Sequence, residues 1–194
     1  MVLQKQLLTG TTLLREVCAT KILNNPVEVG GPGTHVEIDE SMFVRRKGNV
    51  WRLVREQWVF GGICRETRQC FLVAVPDRKK ETLFGEICRF IKPQTVIISD
   101  CWPGYVGIHE IPGKFYKHLT VNHSQNFVDP DTGADTNLVE NMWGRAKVGN
   151  RQRRGTHRTM LDSYMFEFMW RQNIGSANPF ETIIRDIATQ FPQR

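Results

Sequence analysis

The hydrophobic positions change period several times along the chain, and the order of the changes predicts the elements. Leu13, Val17, Ile22 and Leu23 recur at broadly helical spacing behind Thr11-Thr12, which predicts a short helix over 13–24. The glycines and proline of VGGPG (29–33) cannot continue a regular element and mark a boundary. Alternation resumes over 35–43 and predicts a strand, with two more over 51–63 and 70–75. Gly61-Gly62 inside the second signals a bulge or a close approach. Pro76 ends the third strand, and Leu83, Phe84, Ile87, Phe90 and Ile91 predict a helix over 81–91. The unbroken run Val96-Ile97-Ile98 marks a strand over 95–99 that is buried on both faces. A strand over 115–121 and a polar loop over 122–135 follow, then helices at about 137–148 and 159–172. In the last helix Leu161, Tyr164, Met165 and Phe168 share one face, as core residues do.

Three antiparallel strands, a crossover helix, parallel strands and terminal helices predict an α/β domain, a central mixed five-stranded sheet flanked by helices. The ribonuclease H-like fold is one such arrangement. The division expected is a short helical extension with a Gly/Pro linker over 1–33, one catalytic domain over 34–175, and a tail with helical character over 176–194.

Composition narrows the partners. A chain of 194 residues, 40% of them hydrophobic, supports one sizeable core. A net charge of +6 favours a polyanion, because neutralising phosphates releases counterions; charge alone does not choose among DNA, RNA and anionic lipid. The five cysteines (Cys18, Cys64, Cys70, Cys88 and Cys101) are scattered, with no C-x-x-C pair, and fit a reducing interior. The first residues lack a secretory signal, and no apolar run reaches the roughly eighteen residues of a membrane span, so no membrane partner is expected. Asn122-His123-Ser124 has the form of a glycosylation acceptor, which is incidental without secretion.

The candidate chemistry lies in three acids. Asp39 ends VEID on the first strand, Asp100 ends the buried apolar strand, and Glu140 falls in the first turn of a helix. Carboxylates at the carboxyl ends of neighbouring strands converge where open sheets place their crevices, and three together repel one another unless a cation sits among them. Oxygen ligands of this kind select magnesium or manganese. Two such ions roughly 3.5–4 Å apart would activate an attacking oxygen and stabilise a leaving one at phosphorus.

Beside these residues stand the motifs GGPG with VEIDES (36–41), QWVFGGICRET (57–67), FLVAVPDR (71–78), VIISDCWPGY (96–105), HLTVNHSQNFVDPDTGADTNLVENMW (118–143) and LDSYMFEFMWR (161–171). In this ordered set the chain resembles the DDE transposases of the Merlin and ISXO type. The resemblance implies a ribonuclease H-like domain that cleaves double-stranded DNA at transposon ends and joins it to target DNA. Asp39, Asp100 and Glu140 would be both catalytic residues and ligands for Mg2+ or Mn2+, two ions in all. It also implies a DNA contact for Lys147, seven positions after Glu140 and so on the same helix face. Asn122 and His123, in the VNHS motif, would orient the DNA end. Family analogy adds assembly as a homo-oligomer, and likeness to eukaryotic members adds a nuclear location, with Arg151-Gln-Arg-Arg154 a weak import signal. Two departures stand out: Asp135 replaces a frequent His in TGAHTN and adds negative charge near the acids, and only about thirty residues precede VEIDES, where relatives carry zinc-binding and helix-turn-helix segments. A truncated or domesticated descendant that binds DNA without transposing is therefore the alternative reading.

Plainer readings accompany each candidate. Asp39 as a solvent-side strand residue and Asp100 as a turn residue opening DCWPG are the ordinary alternatives. Asn137-x-x-Glu140 also fits a capping box, and Asp129, Asp131 and Asp135 rival Glu140 as third acid; Glu37, on the strand face of Asp39, is a weaker rival. Arg145, Lys147, Arg151, Arg153, Arg154 and Arg158, with no acid among them, form either a solvated face or a track for the DNA backbone. Trp143 and Trp102 are either core or platforms for a splayed base, and Cys101 is expected as a packed thiol.

Overall fold

The computed structural model describes residues 10–44, 56–122, 128, 133–149 and 158–192. Five strands form one sheet in the order β3-β2-β1-β4-β5: β1 (His35–Val44), β2 (Gln57–Cys64), β3 (Cys70–Val75), β4 (Val96–Asp100) and β5 (Lys117–Val121). β1 pairs antiparallel with β2, and β2 antiparallel with β3, whereas β4 runs parallel to β1 and β5 parallel to β4. This is the mixed five-stranded sheet expected from the alternation of strand and helix periods, and its strand order and directions are those of the ribonuclease H-like fold that the resemblance implied. The part of the second expected strand over 51–55 lies outside the described residues.

Helices cover the two faces and one edge. α1 (Gly10–Asn24) precedes the sheet, and α2 (Lys80–Phe90) crosses from β3 to β4. α3 (Asn137–Ala146), α4 (Arg158–Asn173) and α5 (Pro179–Gln190) follow β5. On the α2 face, Phe71 stacks on Phe90 with centroids 4.8 Å apart and meets Phe60 edge-on at 5.5 Å. On the other face α3 buries Val139, Met142 and Trp143 against β1 and β2. α4 closes the free edge of β3: the Asn173 amide accepts from the Cys70 N–H (2.8 Å) and donates to the Cys70 carbonyl (3.0 Å). These bonds occupy groups that an edge strand otherwise offers to another chain.

Two glycine signals resolve into close approaches. Gly61 and Gly62 pair in unbroken register with both neighbouring strands, so they form no bulge. A Cβ on Gly61 would stand 2.7 Å from Leu72 and 2.8 Å from the Trp143 ring; the missing side chain is what lets the indole lie on the strand. VGGPG does not stand apart from the sheet. Val29 is fully buried and bridges to Ile91, the Gly31 N–H donates to Thr95 Oγ1 (2.8 Å), and Gly30, at φ +85°, leaves no room for a Cβ beside Thr95. The fifth strand begins at Lys117, two residues later than expected, because Phe115 adopts a left-handed φ of 54° and is exposed.

Candidate functional site

The parallel pairing of β1 with β4 brings the first two acids together. His35, Val36 and Glu37 pair with Val96, Ile97 and Ile98, and the same offset of 61 carried past the last pair sets Asp39 level with Asp100. Asp100 in turn pairs with Val121, so Asn122 emerges at the same sheet edge, exposed. Strand alternation puts Glu37, Asp39, Ser41 and Phe43 of β1 on the α3 face and Ile38 and Glu40 on the α2 face.

Asp39 is half-buried, and its carboxyl is pushed up to about 6. Burial is the main cause; the charges of Asp100 and Glu140 add to it, against a bond from the Glu40 N–H and the nearby Trp143 indole. Asp39 is therefore within reach of the charges of both other acids. The Trp143 indole N–H is buried and makes no hydrogen bond of regular geometry, although it lies close enough to Asp39 to lower its pKa. Asp100 is held by its own loop: its Oδ1 accepts from the Trp102 N–H at 2.9 Å, and the Ser99 hydroxyl donates to its backbone carbonyl at 2.7 Å. Its turn reading thus holds alongside its place beside Asp39.

Glu140 is exposed in the first turn of α3, whose N-cap is Thr136. Asn137 is consequently the first helical residue, and the capping box that would begin at Asn137 does not form. The cap comes from the sheet. Glu37 Oε2 accepts the Val139 N–H at 2.9 Å, and its Oε1 accepts from Arg65 Nε at 2.7 Å. Arg65 also reaches Asp135, donating to its carboxylate and its carbonyl, each at 2.8 Å, and the second Asp135 oxygen accepts the Asn137 N–H at 3.1 Å. Glu37 is 1% exposed and its carboxyl is raised by burial, against the Val139 and Arg65 bonds. Its expected rivalry for a metal is corrected here, since both oxygens are engaged in holding α3. Asp135 is engaged as well: its carboxylate pairs with Arg65, which it shares with Glu37.

Lys147 closes α3 at its C-cap and donates to the Ser41 hydroxyl, two residues beyond Asp39 on the same strand face. Arg145, two residues earlier, is exposed. His123, Asp129, Asp131, Arg151, Arg153, Arg154 and the side chain of Arg158 lie outside the described residues. Trp143 is 5% exposed and packs edge-on against Phe43, which favours its core reading. Cys101 is exposed rather than packed, in the turn after β4, with its Sγ 3.5 Å from the Val121 carbonyl.

Three residues at this edge carried no signal of their own in the sequence. Glu40 is 8% exposed beside the fully buried Tyr105 hydroxyl, and its carboxyl is pushed up to about 7 by burial and then by Asp39 and Asp100, against Tyr105 and Arg78. Arg78 lies over the Trp58 and Trp102 rings, 4.2 and 3.9 Å from their centroids. Arg65 is the third.

Residues 23–173 match the ISXO2-like transposase domain. The chain belongs to this family. An uncharacterized transposase-like protein of Haemophilus influenzae is 26% identical over 105 residues, which cover 53% of this chain and 80% of that protein. Among solved structures, the catalytic core domain of BIV integrase aligns at a TM-score of 0.46 and 11% identity, covering 80% of this chain and 97% of that one. The HTLV-2 integrase catalytic core domain in complex with magnesium aligns at 0.46 and 12%, covering 77% and 91%. Membership of the ISXO2-like transposase domain family implies DNA binding and makes DNA transposition the general class of activity. Among the described residues no helix is long and apolar enough to cross a membrane.

Proposed function

We propose that this domain cleaves DNA at transposon ends and transfers the strand in a magnesium- or manganese-dependent reaction, with Asp39, Asp100 and Glu140 as the ligands. The observation that carries this reading is that Asp39, set level with Asp100 by the parallel pairing of β1 and β4, is within reach of the charges of both Asp100 and Glu140. A divalent cation relieves that repulsion, and three carboxylates are the hard oxygen donors that magnesium takes.

Among the described residues no three acidic, histidine or cysteine side chains already stand close enough to hold an ion together. The donor set nevertheless fits, because Glu140 is exposed in the first turn of α3, where its Oε1 accepts from the Thr136 hydroxyl at 3.3 Å, while Asp39 and Asp100 are fixed on adjacent strands. Bound there, the metal would supply Lewis-acid stabilisation of the attacking and leaving oxygens. The chain supplies the rest. Trp102 orients the Asp100 carboxylate, Glu37 and Arg65 set the helix that presents Glu140, and Lys147 offers a positive charge on the face of Asp39. Asn122, His123, Arg145, Arg151, Arg153, Arg154 and Arg158 would contact the DNA backbone around this edge. A chromosomal substrate in a eukaryotic host would place the protein in the nucleus, which a tagged copy reports directly.

The test is nicking and joining of duplex DNA, including pre-nicked ends that bypass end recognition, with Mg2+ or Mn2+. Asp100→Asn should abolish the chemistry and leave binding intact, whereas replacing Arg151, Arg153 and Arg154 by Ala should weaken binding to all sequences and lower its salt slope by roughly one per lost phosphate contact. Salt-sensitive binding with no metal-dependent cleavage of any end would contradict the proposal.

A further inference from the structure

Arg78 makes no ion pair within 4.0 Å among the described residues, although its charge bears on the buried Glu40 carboxyl and draws that pKa down, and the group is held in an unusual way. Its backbone is fixed on both sides: Asp77 Oδ1 accepts the Lys79 N–H (3.0 Å) and the Thr82 hydroxyl (2.7 Å), and the Arg78 carbonyl accepts the Trp102 indole N–H (3.3 Å). The guanidinium then lies over two indoles, with Cζ 4.2 Å from the Trp58 centroid and 3.9 Å from that of Trp102. Stacking of this kind uses the face of the guanidinium and leaves its five N–H donors in the plane. Among the described residues no acceptor takes a hydrogen bond from those donors and no carboxylate pairs with them within 4.0 Å.

An arginine that served packing alone would ordinarily direct some of these donors to a protein carbonyl or carboxylate, because donors left unused on desolvation are costly. Here the group is half-buried and oriented, and its edge is open. It also stands beside the acids, since Trp102, which stacks on it, donates its backbone N–H to Asp100. A planar fork of donors, fixed before the ligand arrives, matches the two free oxygens of a phosphodiester better than a mobile lysine does.

We propose that Arg78, held by Trp58 and Trp102, is a binding site for a single phosphodiester of the DNA strand that passes Asp100. This rests on the DNA reading above and adds a specific contact on the α2 side of the sheet, opposite the α3 face with its Arg145 and Lys147. The stacked indoles limit the guanidinium's freedom, so that less entropy is lost on binding than at an exposed arginine. The site would therefore set the register of the strand as well as add affinity.

The experiment is fluorescence anisotropy with a duplex oligonucleotide in which one phosphate at a time is replaced by a neutral methylphosphonate. For the wild-type chain, one replacement should cost about tenfold through this contact, and Arg78→Gln should lose affinity by a similar factor, lower the salt slope by about one, and be insensitive to that replacement. A second measurement needs no variant: phenylglyoxal modification of Arg78, read by mass spectrometry, should be blocked by the duplex. Wild-type affinity and slope in a folded Arg78→Gln protein, or equal modification of Arg78 with and without DNA, would overturn the inference while leaving the DNA reading standing. A wild-type chain that binds no duplex overturns both.

Discussion

The Val139 N–H donates to the Glu37 carboxylate at 2.9 Å, so a residue in the first strand caps a helix 102 positions further on. Glu140 is the next residue of that helix. The bond therefore ties the position of the third acid to the strand that carries the first. Arg65 holds the other oxygen of Glu37 and bridges to Asp135, which extends the tie to the loop that enters the helix.

Removing Arg65 should cost far more than an exposed ion pair would. Arg65→Met leaves the Glu37 carboxylate, 1% exposed, without its cation, and breaking a buried pair in this way costs about 3–5 kcal/mol. The double variant Glu37→Gln, Arg65→Met should recover part of that loss, because no buried charge remains. Urea denaturation of the two variants and the wild type measures both differences; equal stability of the single and double variants would contradict the account.

Gly61→Ala should loosen the same region from the opposite side. The added Cβ would stand 2.7 Å from Leu72 and 2.8 Å from Trp143, and overpacking of this kind costs typically 1–3 kcal/mol. Because the Trp143 indole N–H lies beside Asp39, its displacement should also change the indole environment. A lower melting temperature with a shifted tryptophan emission is the expected result.

His118 makes stability depend on pH. Its ring is held down to about 4, by burial first and by the charge of His109 second, and its Nε2 stands 2.9 Å from the Ser99 hydroxyl, which itself donates to the Asp100 carbonyl. The unfolded chain takes up the proton near 6.5 and the folded chain only near 4. Stability from this group is thus fully present above about 6.5 and is lost as pH falls towards 4, by roughly 1–3 kcal/mol. His118→Gln should show a flatter decline in its urea midpoint over that window than the wild type; parallel declines would contradict the assignment.

What the sequence disclosed and what it hid differ in range. The apolar run Val96-Ile97-Ile98 and the alternation around Asp39 are local signals, and they located the two strands whose parallel pairing levels Asp39 with Asp100. The role of Glu37 was not legible, because nothing near it in the chain shows that its partners are Arg65 and the Val139 N–H. Asp135 read as a disturbance for the same reason, its paired arginine being 70 positions away. Arg78 draws its meaning from Trp58 and Trp102, which belong to two other motifs. Charge alone therefore picked out the run after Glu140 and passed over the stacked arginine.

Mn2+ titration followed by electron paramagnetic resonance tests, without DNA or turnover, whether Asp39, Asp100 and Glu140 form one cation site. The wild-type chain should bind Mn2+, and Asp39→Asn, Asp100→Asn and Glu140→Gln should each weaken binding by about tenfold or more, as loss of a metal's supporting groups does. Glu37→Gln keeps an acceptor for the Val139 N–H and should bind more nearly as the wild type does. Absence of Mn2+ binding by the wild-type chain, or undiminished binding by Glu140→Gln, would contradict the account.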